Sequence, residues 1–199
     1  MEFNGTFDLE DTTAEQVWLA LSDPVMIKNA LPGCQFLVRI DEDEDPDFDE
    51  LAAEAAERED PPTLPDTEPK DVAERAFVEG GRYAALMQLS VGSAKPTFGT
   101  IVTIERREFP EMDASGSGSS SQGSFEMDSG MTLKEVGDNV EVQWWAETDV
   151  FGRIANMGQR VMDPVADRVI NRFFQKVQDQ LQGVGDEKRN LRDRVRGIY

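Results

Sequence analysis

Residues 157–181 read MGQRVMDPVADRVINRFFQKVQDQL, and apolar side chains recur there every third or fourth position: Met157, Val161, Val165, Val169, Phe173, Val177 and Leu181. That is the period of a helix with one face turned to a core, sustained for about seven turns. Ile154, Met162, Ile170 and Phe174 widen the stripe. Pro164 cannot donate to the carbonyl four residues earlier, so a kink is expected at Asp163-Pro164. A long helix with a single apolar face needs a broad surface to lie on, and the residues upstream describe one.

From Val72 to Phe151 the pattern changes to period two, the mark of half-buried strands: YAALMQLSV (83–91), PTFGTIVTI (96–104), SFEMDSGMTL (124–133) and VEVQWWAETDV (140–150). Breaks at Gly80-Gly81, Gly92, Pro110 and Gly137-Asp138 space these runs as an antiparallel meander. GSGSSSQGS (116–124) has the composition of a linker yet sits between two strand-like runs, so it is either a small-residue strand or a long hairpin loop. At the N-terminus Phe3, Gly5, Phe7 and Leu9 alternate with polar residues as another strand. Thr12 to Glu15 fits a capping box opening a helix with Val17, Trp18 and Leu21 on its apolar face. Asp23-Pro24 opens a second short helix, Leu31-Pro32-Gly33 stops it, and Gln35 to Ile40 reads as a strand.

The architecture expected is α+β, a helix-grip arrangement in which a strongly twisted antiparallel sheet wraps around a long C-terminal helix, with two short helices after the first strand. At 199 residues the chain has the length of one domain. We place that domain at 1–182, interrupted at 41–71 and followed by a short tail at 183–199. The interruption begins DEDEDPDFDE and ends PPTLPDTEPKD; fifteen acidic residues stand there against Arg58 and Lys70, so a net of −13 is local and −7 belongs to the rest. Little apolar surface and mutual repulsion predict a mostly disordered loop, with at most a marginal helix over Leu51 to Glu57.

Composition removes whole classes of chemistry. There is no histidine and a single cysteine, Cys34, so no Ser-His-Asp triad, histidine zinc site, Cys-Cys redox pair or disulfide can be built. A net charge of −20 and a pI near 4.3 argue against binding a phosphate backbone. Sparse lysine beside abundant aspartate and glutamate fits a surface kept hydrated in concentrated salt, so we read the source as halophilic. The acidic N-terminus resembles neither a signal peptide nor a lipid anchor, and no run of eighteen apolar residues exists to span a membrane. A soluble, cytoplasmic protein is expected. In the tail, Lys188, Arg189, Arg192, Arg194 and Arg196 outnumber Asp186, Glu187 and Asp193, and Leu191, Val195 and Ile198 share one helical face. Such an end either touches an anionic membrane or a partner, or is a frayed terminus.

A twisted sheet gripped by one helix leaves a wedge between them, filled by side chains or kept as a pocket. Under the alternation above, Met87, Leu89, Phe98, Val102, Met127, Met131 and Trp144 share faces that can meet Met157, Val161 and Phe173 of the helix. Methionine adapts to irregular ligands and aromatic faces stack on planar rings, although residues of this kind at core spacing are more often simply core.

Two stretches carry a resemblance. VWLALSDPVMIKNALPGCQFL (17–37) and FGRIANMGQRVMDPVADRVINRFFQKV (151–177) are similar to the N-terminal and final-helix signatures of the carbon monoxide dehydrogenase G-subunit (CoxG) family, of the START-like (SRPBCC) superfamily. The resemblance covers about four-fifths of the chain, and the acidic segment departs from it. It implies a helix-grip fold enclosing a hydrophobic cavity, no catalytic residues and no intrinsic cofactor. It further implies a bound quinone or lipid-like carrier, a molybdenum hydroxylase of the carbon monoxide dehydrogenase type as partner, and service at the membrane, here through residues 183–199 at the cytoplasmic face. Gly158, Arg160 and Cys34 match the pattern and are read as serving packing, helix entry and a buried thiol respectively. Two alternatives stand beside this reading. One is a polyketide cyclase or aromatase-like enzyme, which needs polar groups such as Arg82, Gln143 or Glu147 converging inside the cavity. The other is a structural adaptor docking through the acidic insertion.

Overall fold

The computed structural model describes residues 1–43, 45–90 and 95–183, apart from the side chains of Met157 and Gln159. Seven strands are present there: β1 (Glu2–Leu9), β2 (Cys34–Ile40), β3 (Arg82–Gln88), β4 (Thr97–Glu108), β5 (Glu111–Ser120), β6 (Gly123–Val136) and β7 (Asn139–Gly152). They form one antiparallel sheet in the order β1-β7-β6-β5-β4-β3-β2. The first two strands thus lie at opposite edges, and the chain crosses between them through two helices, α1 (Ala14–Ser22) and α2 (Pro24–Ala30). Two more, α3 (Phe48–Glu57) and α4 (Pro69–Arg75), precede β3, and α5 (Gln159–Leu181) closes the domain after a single 3-10 turn at Ala155–Met157. This is the α+β helix-grip fold.

Local chemistry explains each turn of the crossing. The capping box at the start of α1 is one residue later than the sequence pattern indicated: the Thr13 hydroxyl accepts from the Gln16 amide, and the Gln16 side chain accepts from the Thr13 amide. Glutamine at the third helical position serves as well as glutamate, so both registers were open to the sequence. Asp23 caps α2, its carboxylate accepting from the Val25 amide at 3.0 Å, with Pro24 at the first helical position. The chain turns into β2 at Gly33, whose φ of 85° and whose approach to the Gln88 carbonyl leave no room for a β-carbon.

Within the acidic insertion, α3 takes in the marginal helix expected over Leu51 to Glu57 and begins three residues earlier, at Phe48. Asp47 caps α3, and Phe48, Leu51, Ala52 and Ala55 pack on Phe36, Ile40 and Ala84 at the outer face of the sheet. Gly99 makes the seat for the Phe48 ring: a β-carbon there would stand 2.8 Å from it. The carboxylates Asp49, Glu50, Glu54 and Glu57 are exposed, so the helix needs only four small or apolar contacts to offset its ordering. Val72, at the point where the period-two pattern begins in the sequence, lies fully buried in α4 rather than in a strand.

The stretch 116–124 is resolved in favour of the small-residue strand: Gly116 to Ser120 complete β5 and Gly123 opens β6. The sheet's inner face and α5 carry the main core, with Leu9, Tyr83, Ile104, Met112, Leu133, Val140 and Val142 buried against α1 and the second half of α5. That half is held by Phe174 stacked on Phe7 at 5.0 Å and by the Gln178 amide, which exchanges hydrogen bonds with the backbone of Glu10.

Candidate ligand-binding face

Antiparallel register places directly opposed residues on the same face of a sheet, and three cross-strand rows of the inner face concern the candidate site. One runs Leu37, Ala85, Thr100, Gly118, Phe125, Val150; the next runs Tyr83, Val102, Gly116, Met127, Thr148; a third joins Met112, Met131 and Trp144. Met87 pairs with Phe98 beyond the first row. Six of the residues singled out from the sequence, Met87, Phe98, Val102, Met127, Met131 and Trp144, therefore share this face. Leu89 lies just past β3, half-buried, with its amide bonded to the Pro96 carbonyl.

From the helix, Phe173 packs on the core and touches Phe174 edge-on at 5.1 Å. Val161 does not reach the sheet; it is 43% exposed. The reason is rotational. The residues of α5 that join the core are Ile170, Phe173, Phe174, Val177 and Leu181, a stripe turned away from Val161 around the helix. The helix also runs on through Pro164 as one element. The side chain of Met157 lies outside the described residues, as does the tail at 184–199.

Between the first half of α5 and the sheet, the inner face is unsealed. Phe125, Met127, Met131 and Trp144 are half-buried, in contrast to Val140 and Val142, which have no exposed surface. The floor of this region is β5, where Ala114, Gly116 and Gly118 point inward with almost no side chain. Above Gly118 lie the Phe125 ring and the Thr100 hydroxyl, 2.4 and 2.9 Å from where a β-carbon would stand. Phe98 meets Phe125 edge-on at 5.5 Å. Phe125 and Thr100 were not singled out from the sequence, because Phe125 sits next to the ambiguous glycine-serine stretch and a threonine in a strand is unremarkable until its surroundings are seen.

The polar candidates for an enzyme do not converge inside. Val142, Trp144 and Tyr83 face inward, so Gln143, Glu147 and Arg82 face outward by alternation. Arg82 instead donates to the Asp41 and Glu42 carbonyls. Two concavities, of about 410 and 240 Å³, lie on the outer side; the first is lined by Arg82, Thr103, Ser115, Ser117, Glu126 and Asp128, and the second by Glu2, Glu147 and Asp149 among others. Ile101, Gly116 and Met127 also line the first and Met1 and Met127 the second, so each mixes hydroxyls and carboxylates with a few apolar groups. Among the described residues no group of three or more Cys, Asp or Glu is arranged to hold a metal ion. Cys34 donates to the Phe36 carbonyl, and burial, opposed in part by Lys28, pushes its thiol up to about 12.

A seven-stranded antiparallel sheet whose apolar face packs on a C-terminal helix is the START-like, helix-grip fold, and the solved structures share it. A conserved protein from Geobacillus kaustophilus superposes with a TM-score of 0.68 at 21% identity, covering 92% of this chain and 96% of that one. A START superfamily protein from Mycobacterium smegmatis gives 0.56 at 8% identity over 92% and 98%, and the Zhui aromatase/cyclase from Streptomyces sp. R1128 gives 0.53 at 10% over 92% and 93%. At these identities the likeness is one of fold. No curated protein matches the chain. The profile of CoxG, the G-subunit of carbon monoxide dehydrogenase, matches residues 74–182, from the end of α4 to the end of α5, and the chain belongs to that family.

Proposed function

We propose that the chain is a non-catalytic accessory protein that holds a quinone or similar lipid-like molecule on the inner face of its sheet, in the service of a molybdenum hydroxylase of the carbon monoxide dehydrogenase type. One observation carries this reading. Phe125, Met127, Met131 and Trp144 lie half-buried on the inner face, whereas Val140 and Val142 under the second half of α5 have no exposed surface. Unpacked apolar area of this kind in a folded core is unfavourable unless something occupies it. Membership in the CoxG family supports the accessory role and the partner.

The test is direct. Titration of the purified protein with 2-methyl-1,4-naphthoquinone should quench Trp144 fluorescence saturably, and replacing Met131 by Asp should abolish the quench. Val161→Ser should leave it unchanged, because Val161 faces solvent. Protein that yields no extractable lipophilic molecule from native cells and binds no quinone offered would overturn the reading. Among the described residues no helix is long and apolar enough to cross a membrane. We propose separately that exchange of ligand with a bilayer runs through a peripheral contact at its cytoplasmic face, made by residues 183–199 and the exposed side of α5.

A further inference from the structure

Thr100 occupies the centre of the inner face, with 5% of its surface exposed. Its neighbours in the cross-strand row are Ala85 and Gly118, and the row continues through Leu37 and Phe125; none offers a polar side chain. Among the described residues its Oγ1 has no hydrogen-bond partner. A buried hydroxyl left unpaired destabilises the fold, and valine would fill the same volume without that cost. The hydroxyl is also aimed: it lies 2.9 Å from the point where Gly118 would carry a β-carbon, directly over the small-residue floor of β5. The edge of the half-buried Phe125 ring shares that space.

We infer that Thr100 is the polar anchor of the inner-face site, donating its hydroxyl proton to an oxygen of the bound molecule, whose planar apolar body lies on the Gly116–Gly118 floor once the Phe125 ring rotates aside. The inference deepens the ligand-holding reading and rests on it. It assigns the ligand a chemical class, a flat apolar ring system bearing a carbonyl oxygen, and separates such molecules from hydrocarbons of the same shape. Gly118 is required by the same geometry, since any β-carbon there would displace both the hydroxyl and the ring.

The experiment compares two probes of one shape, 2-methyl-1,4-naphthoquinone and 2-methylnaphthalene, on the full chain and on Thr100→Val and Thr100→Ser. Valine keeps the volume and removes the hydroxyl; serine keeps the hydroxyl. Thr100→Val should bind the quinone roughly three- to tenfold more weakly, the worth of one neutral hydrogen bond, and bind the hydrocarbon as the parent does. Thr100→Ser should retain the preference for the quinone, and the thermal midpoint of Thr100→Val should be no lower than that of the parent. Equal quinone affinity in parent and Thr100→Val overturns the anchor and leaves the ligand-holding reading standing. Equal loss of both probes in Thr100→Val also overturns it, by showing that shape and not the hydroxyl matters. A parent that binds neither probe removes the inference together with the reading beneath it.

Discussion

The guanidinium of Arg75 grips the carboxylate of Asp23 with two hydrogen bonds, 2.9 Å from Nε to Oδ1 and 2.7 Å from Nη2 to Oδ2. Asp23 is 1% exposed and also caps α2, while Arg75 ends α4 and reaches the Pro62 carbonyl at 2.7 Å. One ion pair thus ties the corner of the α1–α2 crossing to the end of the acidic insertion. Removing one partner leaves a buried charge uncompensated, so Arg75→Ala should destabilise the fold by about 3 kcal/mol in urea unfolding at neutral pH. Arg75→Lys, which cannot reproduce the bidentate fork, should recover less than half of that loss.

Cys34 gives a pH prediction with a definite sign. Its thiol is held neutral by burial up to about 12, whereas a free thiol ionises near 8.5. Between those values the unfolded chain loses a proton that the folded chain keeps, so stability is complete below the free thiol's range and declines as pH rises through it toward 12. Unfolding followed from pH 8 to 11 should show this decline, and Cys34→Ala should flatten it. A thiol reagent at pH 8 should modify native protein far more slowly than urea-unfolded protein, because the thiolate is the reactive form.

Salt should stabilise the protein. On the outer face Glu2, Glu147 and Asp128 stand directly opposite one another in one cross-strand row, and Asp149 faces Glu126 in the next. Like charges opposed in a sheet repel, and exposed charges of this kind are screened within about 10 Å at 0.1 M salt. The thermal midpoint should rise from low salt to molar potassium chloride, and Glu147→Gln should raise the low-salt midpoint more than the high-salt one. A midpoint that does not move with salt would remove the halophilic reading of the composition.

The parts of the fold written in periodicity were legible in the sequence, and the parts that depend on rotation or on the third dimension were not. Alternation marked β6 and β7 because each has one face on the core, whereas β3 and β4 also pack Ala84, Leu86 and Ile101 in the second cluster beneath α3, and Asp23-Pro24 marked α2 because caps act locally. The helix α3 was legible only as a marginal helix over Leu51 to Glu57, because four contacts, Phe48, Leu51, Ala52 and Ala55, decide its order, and their partners Phe36 and Ala84 belong to other elements. Val161 fits the 3.6-residue period of α5 as well as Phe174 does, yet the helix meets the sheet along Ile170, Phe174 and Val177, and only packing reveals which of two overlapping stripes is used. Alternation gave the shared face of Met127, Met131 and Trp144, but the role of Thr100 rests on what surrounds its hydroxyl.

The exposed side of α5 gathers four basic side chains, with Asp167 and Asp179 exposed among them, on a chain whose net charge is −20. Arg160, Arg168 and Arg172 are exposed and form no ion pair among the described residues, with Lys176 one turn further on donating to the Asn29 carbonyl. The carboxylate rows Glu2–Glu147–Asp128 and Asp149–Glu126 occupy the opposite side of the sheet from α5. An anionic surface would orient such a molecule with α5, and the unsealed inner face beside it, toward the bilayer. Each basic residue near an anionic membrane contributes about 1 kcal/mol. Binding to vesicles containing phosphatidylserine at low salt should therefore weaken by at least roughly thirtyfold in Arg168→Glu/Arg172→Glu and vanish in both proteins at molar salt. Quinone affinity in detergent-free solution should be untouched by the same pair of substitutions, since neither side chain reaches the inner face. Sedimentation with vesicles that is indifferent to both residues and to salt would assign membrane exchange to some other surface.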